Sequence, residues 1–180
     1  MALKATVYKA ELDVADLDRS HYGSHSLTIA RHPSETEQRL MLRLLAFALF
    51  ADDDLAFGGG ISSDDEPDLW LRSPSGEILH WIELGLPDER RLRRAAGRAR
   101  AVTVLAYGQR AIEVWWRREA SAVAQLAATS VLAFSDAELS DLAALATRAM
   151  KLQCTVQEGR IYLGEGARTV ELAPVWLRRA

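Results

Sequence analysis

The segment that decides the fold is D-D-E-P-D-L-W-L-R-S-P-S-G-E-I-L-H-W-I-E-L-G, residues 64–85. Its two apolar runs, 68–72 and 78–84, flank a Ser-Pro-Ser-Gly sequence, which predicts a β-hairpin closed by a tight turn. A Pro-Asp pair begins the first run, and a single glutamate lies inside the second. Because the two strands fold back on each other, we expect Asp68 and Glu83 to lie at the same end of a sheet.

The residues after the hairpin predict a helix and then a parallel strand. Pro87 suits a first helical position, and Asp88 and Glu89 behind it suit the positive end of the helix dipole. We therefore predict a helix over 87–98, followed by an apolar strand over 101–107. A strand, a helix and a strand in succession imply a crossover, so the two flanking strands should be parallel.

The rest of the chain predicts further strands and helices. Two alternating strands, 5–14 and 25–30, are expected around a polar loop at 15–23. A capping box, with Ser34 at the N-cap and Glu37 at N3, predicts a buried helix that reaches residue 50 after Pro33. The remaining predicted elements are a strand 112–116, a helix 120–128, a strand 131–134, a helix from a second capping box at 135–138 to about 150, and a meander of strands 152–157, 160–163 and 169–172.

Composition limits the class of protein. The chain has 180 residues, of which 49% are apolar, enough for one well-filled domain over 1–180. The formal net charge is -3, with 22 basic against 25 acidic residues, so any nucleic-acid surface must be local. We expect an α/β fold with a mixed central sheet, the helices 34–50 and 87–98 against it, and an appended C-terminal α+β portion.

The sequence predicts a protein of a reducing, aqueous compartment. Cys154 is the only cysteine and lies in a strand-like segment, where a buried structural thiol is expected. The first residues lack an apolar signal-peptide core, and the longest near-apolar run, 40–50, is about half a membrane span and contains Arg43. A cytoplasmic location with no membrane partner is therefore the expectation.

The pair Asp68 and Glu83 suggests a metal site. Carboxylate oxygens are the ligands that Mg²⁺ prefers, and a metal-bound water becomes a nucleophile near neutral pH. The backbone carbonyl of Leu84 is a further candidate ligand. Such acid pairs also occur for structural reasons, but an ionised Glu83 between Trp81, Ile82 and Leu84 needs either a partner or a metal.

A row of arginines follows the acid pair on the predicted helix. Arg90, Arg94 and Arg98 recur every four residues and lie along one helical face, with Arg91 beside them. This row has three interpretations: an ion pair with Glu83, a surface that binds nucleic-acid phosphates, or a solvated helix face. Arginine binds phosphate oxygens in a bidentate way, but its pKa above about 12 prevents it from acting as a base.

Three other motifs favour structural roles. His21 and His25 have the spacing of metal ligands only in a helix, whereas the intervening Tyr-Gly favours a loop. The triple aspartate at 52–54 lacks the further ligands of a calcium loop. Trp115-Trp116 with the two arginines after it could clamp a nucleic-acid strand, although a strand end with one Trp packed inward is the simpler interpretation.

Several motifs together closely resemble the YaeQ family of bacterial proteins, over nearly the whole chain. They are M-A-L-K-A-T-V-Y-K-A-E-L at 1–12, A-R-H-P-S-E-T at 30–36, D-D-E-P-D-L-W at 64–70, and W-I-E-L-G at 81–85 with P-D-E at 87–89. That family is similar in fold to the PD-(D/E)XK nucleases. The resemblance therefore implies a restriction-endonuclease-like α/β core.

The resemblance also implies roles for individual residues. Asp68 matches the aspartate of the PD motif and Glu83 its second acid, while Glu37 resembles the extra acid of some members. The lysine that normally positions the water has no match, because Gly85 stands in its place. The capping box is an alternative reason for Glu37.

Two functions follow from this resemblance. The first is a Mg²⁺- or Mn²⁺-dependent nuclease for DNA or RNA, with Arg90 or Arg91 in place of the lysine and Arg94 and Arg98 along the nucleic acid. The second is a catalytically silent module that binds a nucleic acid or a protein of the transcription machinery, with a link to transcription elongation. The missing lysine favours the second function, and the acids beside a basic helix favour the first.

Overall fold

The computed structural model describes residues 4–59, 61 and 63–180, and over these residues the chain is a mixed α/β structure. The described residues form four helices and two mixed sheets. In chain order the elements are β1 (Thr6–Asp16), β2 (His21–Arg31), α1 (Glu37–Leu49), β3 (Leu55–Phe57), β4 (Leu69–Arg72), β5 (Ile78–Leu84), α2 (Glu89–Arg98), β6 (Ala99–Ala106), α3 (Gln109–Ala124), β7 (Thr129–Ala133), α4 (Asp136–Ala143), β8 (Ala149–Gln157), β9 (Arg160–Glu165), β10 (Arg168–Leu172) and β11 (Val175–Arg178).

The first of two compact units comprises Met1–Ala51 and Ala137–Ala173. Its sheet has the order β10-β9-β8-β1-β2, in which β1 is antiparallel to β2 and parallel to β8. Every second residue of β1 from Tyr8 to Val14 is buried, as expected for a strand with one face on a core. The helix α1 belongs to this unit and is buried over residues 40–48.

The second unit comprises Asp52–Asp136 and Pro174–Ala180. Its sheet has the order β11-β7-β6-β5-β4-β3, with β5, β6 and β7 parallel and the other neighbours antiparallel. The β4–β5 hairpin and the crossover from β5 through α2 to β6 confirm the predictions from the sequence. The buried side of α2 is short: Leu92 packs in a core cluster with Val104 and Trp115, and Ala95 packs with Trp81.

The expected arrangement of the sheets is corrected in two respects. The C-terminal strands are not a separate appended portion, because β8 pairs with β1 and so completes the sheet that the N-terminal strands begin. The helix predicted at 34–50 belongs to that same unit rather than to the unit that contains β4 and β5. The short strands β3 and β11 were not predicted. A single domain over 1–180 stays a prediction.

The predicted starts of α1 and α2 are both wrong by two residues. The N-cap of α1 is Thr36, whose hydroxyl accepts from the Arg39 backbone N–H at 3.2 Å, so Glu37 is the first helical residue and Ser34 lies outside. The N-cap of α2 is Asp88, which accepts from the Arg91 backbone N–H at 2.8 Å. In each case the side chain immediately before the first helical residue accepts from a backbone N–H of the first turn and so caps the helix.

The largest error in the sequence analysis concerns α3. The predicted strand 112–116 and most of the predicted helix 120–128 form one helix, whose buried residues are Trp115, Glu119, Ala122 and Val123. Their spacing of four, three and one is helical, and it outweighs the β propensity of the aromatic and branched residues.

Two boundaries also differ from the prediction. The predicted loop 15–23 is mostly strand, because β1 and β2 pair as far as Asp16 and His21. The Asp16 carboxylate closes the short turn by accepting from the backbone N–H and Nε of Arg19, at 3.0 and 2.7 Å. The helix predicted to reach residue 150 ends at Ala143, since the residues from Ala149 onwards join the sheet as β8.

Candidate functional site

Asp68 lies at the entrance to β4, with its side chain against β5. Its backbone N–H donates to the Ile82 carbonyl at 3.1 Å, and its Oδ2 accepts from the Leu84 N–H at 2.7 Å. Asp68 is only 1% exposed. Asp68 is therefore bound to the residues on both sides of Glu83, to Ile82 through its backbone and to Leu84 through its side chain.

Glu83 is buried beside Asp68, and each of its carboxylate oxygens accepts a hydrogen bond. It is 7% exposed. Its Oε1 accepts from Arg91 Nε at 2.6 Å, and its Oε2 accepts from Trp81 Nε1 at 2.9 Å. Burial and the Asp68 charge raise the pKa of Glu83, and they outweigh the hydrogen bonds from Arg91 and Trp81, which lower it. The two acids thus interact electrostatically within one site.

Arg91 connects this acid pair to the loop before Pro67-Asp68. While Nε binds Glu83, Nη1 donates to the Asp64 carbonyl at 2.8 Å and Nη2 donates to the Glu66 carbonyl at 3.0 Å. Glu83 therefore forms an ion pair with the following helix, which is one of the three interpretations of the arginine row. Arg91 also occupies the position beside the second acid where the sequence analysis placed a substitute for the lysine.

The other arginines of the row differ in how they are engaged. Arg94 Nη1 lies 3.1 Å from the Asp65 carboxylate, and Arg98 Nη1 donates to the Asp65 carbonyl at 3.3 Å. Arg90 is exposed and has no hydrogen-bond or ion-pair partner among the described residues. Three arginines of the row therefore bind the loop at 64–66, the acidic loop, whereas Arg90 makes no such contact among the described residues.

A cavity of about 350 Å³ lies beside this row. Its lining side chains are those of Asp64, Asp88, Arg90, Arg91 and Arg94. Two of the three lining arginines are paired with carboxylates, Arg91 with Glu83 and Arg94 with Asp65, so Arg90 is the lining cation without a carboxylate partner among the described residues. An anionic group is the ligand that the Arg90 guanidinium favours.

Gly85 occupies a backbone conformation that explains the absence of a lysine. Its φ is +107°, and its N–H donates to the Leu105 carbonyl at 2.9 Å. A Cβ would meet nothing closer than Tyr107 Cε1 at 4.0 Å, so space is available. Glycine is therefore required here by the positive φ rather than by crowding.

The two remaining predicted metal-site residues are Leu84 and Glu37. Leu84 contributes its N–H to Asp68, and a metal role for its carbonyl stays a prediction. Glu37 is exposed on the first turn of α1 in the first unit, and its approach to the acid pair also stays a prediction. Among the described residues no group of three or more His, Cys, Asp or Glu side chains is arranged to hold a metal ion.

The structure adds one site residue that sequence reasoning missed and settles two other motifs. Trp81 bonds Glu83, and its position two residues earlier, on the same face of a strand, was the available signal. Trp115 is packed inward as expected, although in a helix, with Nε1 donating to the Pro87 carbonyl at 2.7 Å. Cys154 is buried, and burial raises the pKa of its thiol to about 12.

No helix in the described part of the chain has the length and apolar character needed to cross a membrane. This agrees with the run at 40–50, which forms a buried helix of the first unit.

Comparison with known proteins gives a consistent result. Residues 1–174 match the family model described as YaeQ protein. The chain is 49% identical to the YaeQ protein of Salmonella typhi and 48% identical to that of Escherichia coli K12, each over 96% of this chain and 95% of the relative. The crystal structure of YaeQ from Xanthomonas axonopodis pv. citri matches with a TM-score of 0.95 and 45% identity, over 98% of this chain and 99% of that one. The structure of YaeQ from Pseudomonas syringae matches with a TM-score of 0.93 and 39% identity, over 98% and 97%. The chain therefore belongs to the YaeQ family.

Proposed function

We propose that this protein is a divalent-metal-dependent nucleic-acid phosphodiesterase with a variant PD-(D/E)XK site. The observation that carries the proposal is the grouping of two buried carboxylates, Asp68 and Glu83, with one guanidinium, Arg91, beside a cavity that three arginines line. A buried acid with a raised pKa and a specific cationic partner, as Glu83 has in Arg91, is characteristic of functional sites. Acids for a metal and a cation for a phosphate are also the parts that hydrolysis of a phosphodiester requires.

The order of elements supports a restriction-endonuclease-like core in the second unit. The antiparallel hairpin β4–β5 is followed by a crossover through α2 to the parallel strand β6. This order puts the Pro-Asp pair at the start of one strand and the second acid on the next. The nuclease pattern that the sequence resembles has its acids on such a hairpin.

The oxygen atoms of the proposed site are of the type that a hard divalent cation binds. Asp68 and Glu83 offer carboxylate oxygens, with the Leu84 carbonyl as a further proposed ligand and Glu37 as an assisting acid. Mg²⁺ or Mn²⁺, when bound, would lower the pKa of a coordinated water. Each Glu83 oxygen accepts one hydrogen bond, from Arg91 or from Trp81, and keeps a further lone pair that a metal ion could use.

The arginines supply the charge that the lysine supplies elsewhere. Arg91 would exchange its contact with Glu83 for a phosphate oxygen, and the exposed Arg90 would hold the same phosphate group. Neither residue takes up a proton, because guanidinium stays charged at all relevant pH values. Arg94 and Arg98 would extend the contact along the nucleic acid.

A second candidate function has its own supporting observation. The Arg91–Glu83 ion pair of 2.6 Å satisfies the buried charge without any metal, and the φ of +107° at Gly85 excludes an unstrained lysine. Both features suit a catalytically silent module that binds a nucleic acid or a protein of the transcription machinery, including one linked to transcription elongation. In such a module the acids would be structural.

One experiment separates the two functions. Mn²⁺ is titrated calorimetrically into the wild type, Asp68→Asn and Arg100→Ala, and labelled single- and double-stranded DNA and RNA are then incubated with each protein and Mn²⁺. Arg100 pairs with Glu77 on the surface and serves as the matched control. The phosphodiesterase proposal predicts that Asp68→Asn loses both metal binding and cleavage. Nucleic-acid binding without cleavage, unchanged in Asp68→Asn, would instead support the silent module.

A further inference from the structure

Two histidines of the edge strand β2 lean towards each other across a glycine. His21 and His25 lie on the same side of the strand, and strand geometry separates their Cα atoms by about 13 Å. Their ring centroids are nevertheless only 6.5 Å apart, and the ring planes differ by 13°. The side chains therefore converge above Gly23, although the segment is not the helix that this spacing usually requires.

The converging atoms are the two Nε2 nitrogens. A Cβ added to Gly23 would lie 3.2 Å from His25 Nε2 and 3.6 Å from His21 Nε2. Both nitrogens are buried and have no hydrogen-bond partner among the described residues. Since a buried nitrogen without a partner costs free energy, two of them facing one space indicate a shared ligand.

Gly23 is a second and independent observation. Its φ is not among the positive values that the structure records for other glycines, so backbone conformation does not require glycine there. A glycine inside a strand weakens the strand, and it often marks a position where a ligand approaches closely. What Gly23 provides is the volume between the two nitrogens, which any side chain would fill.

We infer that His21 and His25 form a two-histidine site for a borderline transition-metal ion such as Zn²⁺ or Ni²⁺, seated above Gly23. Imidazole nitrogen suits these ions, whereas Mg²⁺ and Ca²⁺ prefer oxygen. Asp16 lies opposite His21 in the register, but Arg19 engages both of its oxygens. The other coordination positions are therefore left to water, as at open zinc sites. The inference is independent of the acid pair.

Packing alone does not account for this arrangement. Phe47 meets the His25 ring edge to face at a centroid distance of 5.1 Å, which explains the orientation of that ring. Among the described residues, His21 has a ring contact only with His25.

The test uses the full chain without a histidine tag, freed of metal by a chelator. Zn²⁺ and Ni²⁺ are titrated calorimetrically into the wild type, His21→Ala, His25→Ala, Gly23→Ala and His32→Ala. Gly23→Ala is the sharpest variant, because it keeps both histidines and fills only the space between them. His32→Ala is the matched control, since His32 is exposed and bonds Ser34 instead. The histidine side-chain NMR spectrum of the wild type is recorded during the same titration.

We expect Zn²⁺ and Ni²⁺ to bind the wild-type chain and to shift the resonances of His21 and His25. The affinity for the metal should fall by about 10–100-fold or more in His21→Ala, His25→Ala and Gly23→Ala, since loss of a group that only supports a ligand already has an effect of that size. The affinity should stay unchanged in His32→Ala. If a histidine variant does not fold, Gly23→Ala and the wild-type spectrum decide. No uptake by the wild type, or uptake that Gly23→Ala leaves unchanged, would overturn the inference.

Discussion

Arg91 joins Glu83 to the loop that precedes Asp68, with Nε 2.6 Å from Glu83 Oε1 and both Nη atoms on backbone carbonyls of that loop. One guanidinium therefore neutralises the second acid and also holds the segment that presents the first. A ligand that drew Arg91 away would free a Glu83 oxygen and release the loop in the same step. Access to the acid pair and order in the loop are thus linked through this residue.

Replacing Arg91 with Ala should destabilise the protein by about 3–5 kcal/mol, because it leaves a largely buried carboxylate without its cation. The free energy of unfolding is measured by urea denaturation. Arg93→Ala is the matched control, since its pair with Glu89 is exposed on the same helix and should contribute less than about 1 kcal/mol. Equal losses in the two variants would show that the Arg91–Glu83 contact is not a stabilising pair.

Glu83→Gln should change how stability depends on pH. The pKa of Glu83 is raised above its ordinary value of 4.5, so the folded state holds the proton more tightly than the unfolded state. Protonated Glu83 therefore stabilises the folded state relative to ionised Glu83. This contribution to the free energy of unfolding is lost as pH rises from 4.5 through the folded pKa. Relative to Glu83→Gln, the wild type should become steadily less stable over that range.

Urea denaturation at a series of pH values, from weakly acidic to neutral, measures this difference. Glu77→Gln is the control for loss of one carboxylate, because Glu77 lies on the surface beside Arg100. A difference between the wild type and Glu83→Gln that is constant across the series would mean that Glu83 does not titrate in this range.

Gly85→Lys should cost stability and add no cleavage. A side chain at a φ of +107° is strained by about 1–2 kcal/mol. This strain would distort the backbone at the end of β5, so the lysine ammonium group would not be held in a fixed position beside the acids. Gly76→Lys is the matched control, because Gly76 has a φ of +86° with nothing within 4 Å of its Cβ position and lies away from the acid pair. Urea denaturation and metal-dependent cleavage are measured on both variants. Cleavage above wild type in Gly85→Lys alone would show that the missing lysine limits hydrolysis.

The features that the sequence predicts well are those encoded locally. The hairpin over 64–85 and the crossover after it follow from turn residues and short apolar runs, and both were confirmed. The ion pair of Glu83 with α2 was foreseen as an alternative, because the arginines begin only a few residues after the strand. A buried glutamate between apolar neighbours needs a partner, so the amino-acid sequence by itself implies such an interaction.

The features that the sequence did not predict depend on distant residues. The parallel pairing of β1 with β8 joins residues more than a hundred positions apart, and nothing in either strand specifies the other. The segment 112–116 has strand-like residues but is helical, since Trp115 and Val123 complete a buried helical face. The hydrogen bonds from Arg91 to two loop carbonyls could not be predicted either, because every residue has a backbone carbonyl and the sequence does not mark which one accepts.

Arg90→Ala should weaken nucleic-acid binding without changing stability. Arg90 is exposed beside the cavity and has no partner among the described residues, whereas Arg91, Arg94 and Arg98 all bind the acidic loop. Loss of one phosphate contact should reduce the slope of log affinity against log salt by about 0.7–0.9. Binding of labelled DNA and RNA is measured by anisotropy across a range of salt concentrations. Arg100→Ala removes the same charge from the surface and should keep the wild-type slope. The same slope in both variants would show that Arg90 does not contact a phosphate of the nucleic acid.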